Sequence, residues 1–121
     1  MNETTDVLPL VRLRASQRGD RLWRNNNGAG TLSNGSFVRW GLANETEAMN
    51  RSLKSSDLIG IRPVTITPEM VGRTIGQFVS RECKRSGWKY RGTPRELAQK
   101  AWIDLVNTLG GDAAFTTGDY P

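Results

Sequence analysis

Four residues, Thr93-Pro94-Arg95-Glu96, constrain the fold more tightly than any other stretch of this chain. A threonine that can accept the N3 amide, a proline at the first helical position and a glutamate reaching back to the cap form a T-x-x-E capping box. They predict a helix opening at Pro94, carried by an apolar stripe of Leu97, Ala98, Ala101, Trp102, Leu105 and Leu109, and ended by Gly110. Ile75 to Lys84, with Phe78, Val79 and Cys83, reads as a strand ahead of that helix, and Ala113-Ala114-Phe115-Thr116 as one behind it.

Further upstream, Asp6 reads as the cap of a first helix, with Pro9 in its first turn and Leu10, Val11, Leu13 and Ala15 as its apolar stripe before Gly19. Leu22-Trp23-Arg24 and Phe37-Val38-Arg39-Trp40 have strand character, with the polar turn Asn25-Asn26-Asn27-Gly28-Ala29-Gly30 after the first. Ala43 to Lys54 reads as a loop with a short helical stretch, and its role is open. Asp57-Leu58-Ile59-Gly60-Ile61 reads as a buried strand, Thr67-Pro68-Glu69-Met70 as a single capped turn, and Gly118 to Pro121 as a tail. The order α-β-β-β-α-β predicts an α/β fold with a mixed central sheet flanked by helices. With 121 residues there is room for one domain, 1–121, its core at about 6–117.

Composition removes whole classes of chemistry. There is no histidine, which excludes Ser-His-Asp and Cys-His catalysis and histidine metal sites. The lone Cys83 can close no intrachain disulfide or cysteine zinc site and fits a reducing compartment. No apolar run is long enough to span a bilayer, and the N-terminus lacks the pattern of a signal peptide. The expectation is a cytoplasmic protein, away from membranes, whose chemistry runs on carboxylates, lysine and oxygen-bound metal. The formal net charge of +5 favours polyanionic partners, nucleic acid above all.

The residues that could carry chemistry are Asp57, opening one strand, and Glu82-Cys83-Lys84, near the end of the next. Alternation puts Glu82 and Lys84 on one face and Cys83 on the other, with Val79, as a small buried hydrophobe. Were the two strands neighbours, Asp57 would join them at one sheet edge. Two carboxylates plus a backbone carbonyl suit a hard cation such as Mg²⁺, and a lysine beside them can stabilise charge building on a phosphate. A surface Glu82–Lys84 pair and a turn-forming Asp57 would explain the same spacing without function. Between Arg73 and Lys100, however, stand eight cations against two acids, and Trp88 and Tyr90 alternate with cations in Ser86-Gly87-Trp88-Lys89-Tyr90-Arg91-Gly92. Such a loop suits phosphate contacts and base stacking.

The string Arg24-Asn25-Asn26-Asn27-Gly28-Ala29-Gly30, then Arg39-Trp40-Gly41-Leu42, Ser55-Ser56-Asp57-Leu58-Ile59-Gly60-Ile61, Glu82-Cys83-Lys84, and Gln99 with Trp102 resembles a stand-alone VRR-NUC (virus-type replication-repair nuclease) domain. That family belongs to the PD-(D/E)xK nuclease superfamily, and the resemblance runs from about Arg21 to Phe115. It implies a restriction-endonuclease-like αβββαβ core and a Mg²⁺- or Mn²⁺-dependent DNA endonuclease. Asp57 and Glu82 would hold the metal with the Cys83 carbonyl, Lys84 would be the catalytic lysine, and Gln99 the helix glutamine near the site. Glu3 stands as the family's first-helix glutamate would, ahead of the expected cap. Arg24, Asn25, Arg85, Trp88, Lys89, Tyr90, Arg91 and Arg95 are the expected DNA-binding residues. The resemblance further implies a phage-type homodimer acting on branched or junction DNA in a bacterial cell. A non-catalytic basic DNA-binding accessory protein is the alternative.

Overall fold

The computed structural model describes residues 2–120; Met1 and Pro121, the end of the expected tail, lie outside the described residues. The chain forms two compact units, residues 1–60 and 61–121. It is mixed α/β, and its strands fall into three two-stranded sheets rather than the one mixed sheet expected.

In unit 1 the first helix starts earlier than Asp6. Asn2 is its cap, accepting the Thr4 and Thr5 amides, while the Asp6 carboxylate bonds back to the Asn2 N–H at 2.6 Å. Pro9 bears on the spacing of this opening. Its ring would clash with the carbonyl four residues earlier in a regular helix. The chain instead opens in π spacing over Glu3–Val7 and only then becomes α1, Leu8–Gln17. Leu8 and Ala15 are the buried residues of α1; Leu13, expected on the stripe, faces water. Strand β1 (Arg21–Arg24) pairs with β4 (Leu58–Ile61), and they meet so closely that a Cβ on Gly60 would lie 1.8 Å from the Arg21 carbonyl oxygen. The expected turn is shorter than six residues: Gly28 already begins β2 (Gly28–Thr31), which pairs antiparallel with β3 (Phe37–Trp40). The Trp40 ring lies over Gly28 where any side chain would stand, which is why small residues occupy that strand. A short helix α2, Glu47–Ser52, capped by Thr46, falls within the expected Ala43–Lys54 loop.

Unit 2 is built on β5 (Val79–Cys83), α3 (Pro94–Thr108) and β6 (Asp112–Thr116). A single 3-10 turn, Pro68–Met70, precedes them. β5 and β6 run parallel, Val79 opposite Asp112 and Cys83 opposite Thr116. β5 is shorter than the Ile75–Lys84 run because its partner is five residues long; the Lys84 N–H still reaches the Thr116 carbonyl. The capping box forms as expected, with Thr93 and Glu96 bonded reciprocally. The stripe forms only in part: Trp102, Leu105 and Leu109 are half-buried, but Leu97, Ala98 and Ala101 face water, while Glu96, Ile103 and Val106 are buried and Gln99 is half-buried. Ile103, Val106 and Ala113, with Ile61, make the apolar core of this unit. Glycine at 111 lets β6 pass Val106, whose Cγ1 would stand 2.6 Å from any Cβ there.

Candidate functional site

In β5 the alternation holds where it matters. Ser80, Glu82 and Lys84 share the face turned to α3, each tied to that helix. Trp102 donates its indole N–H to the Ser80 hydroxyl at 3.0 Å. The Gln99 amide nitrogen donates to Glu82 Oε1, and Gln99 Oε1 accepts from Lys84 Nζ at 2.7 Å. The reverse orientation of that amide would set two acceptors and two donors against each other, so the network fixes it. Lys84 Nζ also stands 3.9 Å from Glu82 Oε1 and lies over the Trp88 and Phe115 rings at 5.5 and 5.8 Å. Thus Glu82, Lys84 and Gln99, far apart along the chain, meet at one place. A shallow cavity of about 380 Å³ opens beside them, lined by Ser80, Glu82, Arg95, Ala98, Gln99 and Trp102.

Cys83 is exposed, not buried as expected. The helix packs on the polar face of β5, which leaves Val79 and Cys83 on the open one. Arg81 shares that outward alternation but turns its guanidinium across to β6. It pairs with the Asp112 carboxylate at 3.2 Å and the Asp112 carbonyl at 2.6 Å, with the Tyr120 ring against it.

The basic loop is organised from within by Glu96. Its Oε1 accepts the Arg91 and Thr93 backbone amides at 3.0 and 3.1 Å, and its Oε2 accepts the Trp88 indole N–H at 2.8 Å. The Thr93 amide above all draws its pKa from an ordinary 4.5 to about 2, against the opposing effect of burial; the Arg91 amide, the Trp88 indole and the Thr93 hydroxyl add to the lowering. Trp88 is half-buried, 4.9 Å from Phe115 and edge-on to Tyr90. Trp88 is therefore a strut of the loop, and Tyr90 is the ring open to solvent. Arg85, Lys89, Arg91 and Arg95 are exposed and form no ion pair among the described residues.

Asp57, in unit 1, is exposed at the start of β4, and its carbonyl accepts the Asn25 N–H at 2.8 Å. The Ser55–Ser56 segment before it is held by a clasp of amides. Asn25 donates to Ser55 Oγ at 2.7 Å and to the Ser56 carbonyl at 3.0 Å, and accepts the Leu42 N–H; the Asn27 NH₂ donates to both Ser55 oxygens. Asn25, expected at a DNA surface, is buried and committed to this clasp, because the Ser55–Ser56 backbone needs those partners. Arg24 is exposed, bonded to Asn26. Glu3 is exposed in the first helical turn, inside the helix rather than ahead of it.

Three contributors escaped sequence reasoning: Glu96 as the hub of the loop, Phe115 as the floor under Lys84, and Asn44, buried between β2 and β3. Glu96 left one signal, since a capping glutamate has a second oxygen to satisfy. No group of three or more His, Cys, Asp or Glu side chains able to hold a metal gathers among the described residues. No helix among them is long and apolar enough to cross a membrane. Compared with protein-family models, curated proteins and solved structures, the chain matches none.

Proposed function

We propose that the chain is a Mg²⁺- or Mn²⁺-dependent endonuclease acting on DNA, with a restriction-endonuclease-like αβββαβ core and a homodimeric, junction-selective mode of action. The observation that carries this reading is the Gln99 amide joining the Glu82 carboxylate to the Lys84 ammonium, beside a loop of unpaired cations. Glu82 offers carboxylate oxygen reachable from solvent, which suits a hard divalent ion, and the Cys83 carbonyl is a further oxygen that the resemblance names. Asp57 enters on the resemblance alone. A bound divalent ion would supply charge neutralisation at the phosphate and a more acidic water.

The chain's own side chains do the rest. Gln99 holds Glu82 and Lys84 in fixed orientation, as a positioning residue. Lys84, packed on two aromatic rings, keeps its ammonium where charge builds on a phosphate oxygen. Arg85, Lys89, Arg91 and Arg95 contact the nucleic-acid backbone, and Tyr90 offers a ring to an unpaired base.

Labelled duplex, flap and four-way DNA incubated with Mg²⁺, with Mn²⁺ and with EDTA tests this. Products are expected with either ion and none with EDTA. Lys84→Ala should lower cleavage by about 10²-fold or more and leave DNA binding nearly unchanged, and Asp57→Asn tests the aspartate separately. Cleavage that survives Lys84→Ala in a clean preparation overturns the lysine's role. Salt-sensitive binding with no metal-dependent product supports the accessory-protein alternative, for which the same unpaired cations suffice.

A further inference from the structure

The stretch from Asn44 to Lys54 plays no part in the nuclease reading, yet it closes a polar hollow within unit 1. The hollow measures about 480 Å³, and its walls include Asn27, Arg39, Asn44, Asn50, Lys54 and Ser55. No carboxylate lines it among the described residues, but two cations do. Each is aimed by a neutral amide oxygen: Arg39 Nη1 donates to Asn44 Oδ1 at 3.0 Å, and Lys54 Nζ to Asn50 Oδ1 at 2.7 Å. Neither positive charge is neutralised there. Binding Lys54 through its oxygen also turns the Asn50 NH₂ outward as a further donor.

This hollow is built. Asn44 is 3% exposed, and its NH₂ donates to the Gly28 and Trp40 carbonyls at 2.8 Å each, so its oxygen has one orientation left, toward Arg39. Ala43, just before it, is held at φ +55°, a left-handed conformation that alanine seldom adopts. A concave set of two cations and the Asn50 amide, with no carboxylate among the described lining residues, is complementary to a tetrahedral oxyanion. We propose that the hollow is a phosphate-binding site, in which Arg39, Lys54 and Asn50 contact phosphate oxygens and Asn44 positions Arg39. Inorganic phosphate and a phosphate of a nucleic-acid strand offer the same chemistry. The site involves no cleavage, so it stands or falls apart from the nuclease reading.

The test is a ¹H–¹⁵N NMR titration of the full chain, first with sodium phosphate against sodium chloride at equal ionic strength. A short DNA duplex with unphosphorylated ends follows. Saturable shifts of the Asn44 and Asn50 side-chain NH₂ and Arg39 Nε–H signals are expected with phosphate and not with chloride. Asn50→Asp, which sets a carboxylate beside Lys54, should weaken the response by about tenfold or more; Lys54→Gln, at an exposed position, should weaken it with the rest of the spectrum unchanged. The same shifts with duplex assign a strand phosphate, and shifts with phosphate alone assign a free one; either supports the site. No shift with either ligand, or shifts that persist undiminished in Lys54→Gln, overturns it.

Discussion

Glu96 fills two roles that usually belong to different residues. One oxygen completes the capping box of α3 and takes the Arg91 amide; the other holds the Trp88 indole, so helix start and basic loop share one carboxylate. Its folded pKa, about 2, lies below the ordinary 4.5. Protonation therefore favours the unfolded chain. The contribution is complete above about pH 4.5 and is lost as pH falls toward about 2. Urea midpoints measured across that window should fall for the wild-type chain. Glu96→Gln should be less stable at neutral pH and lose the part of the slope that this carboxyl supplies. Equal slopes in the two proteins would show that the bonds to Trp88, Arg91 and Thr93 do not hold the carboxylate charged.

The elements show where sequence patterns were legible. The capping box, the alternation in β5, β3 from Phe37 to Trp40, and the convergence of Gln99 on the Glu-x-Lys pair could all be read from residue types, because each is a local rule or belongs to the residues that carry the resemblance. The rotation of α3 could not. Two of its inward positions, Glu96 and Gln99, are polar and buried or half-buried only because loop and β5 partners satisfy them, so hydrophobicity alone pointed to the neighbouring stripe. The exposure of Cys83 follows from the same rotation. The π opening of the first helix and the Asn25 clasp rest on tertiary geometry that no local pattern carries. The observed face makes a prediction: Val106→Ala, at a position with no exposure, should cost about 2 kcal/mol. Leu97→Ala, 56% exposed, should stay within about 0.5 kcal/mol. Urea unfolding of both variants measures it, and the opposite ranking would restore the stripe expected from sequence.

Across the whole molecule, the net charge of +5 is less informative than which cations are already engaged. Arg81 pairs with Asp112, Lys84 with Glu82, Lys100 with Asp104 at 2.8 Å and Arg51 with Glu47. Their charges are largely cancelled at short range, and a distant phosphate meets them as dipoles. Arg85, Lys89, Arg91 and Arg95 have no such partner among the described residues, and Glu96, the acid beside Arg95 in sequence, has both oxygens occupied by donors. Counterion release on DNA binding should therefore come from cations without a carboxylate partner, these four among them, and not from the charge total. Each phosphate that the protein neutralises steepens the fall of log K with log salt by about 0.9. Replacing Arg85, Lys89 and Arg91 together with glutamine should flatten that slope by up to about three such increments. Lys100→Gln removes the same unit of charge from an engaged position and should leave the slope nearly unchanged. Fluorescence anisotropy of a labelled duplex over a salt series compares them. If the slope instead follows net charge, with Lys100 counting as much as each loop cation, then the loop is an ordinary solvated surface and the DNA interface lies elsewhere on the chain.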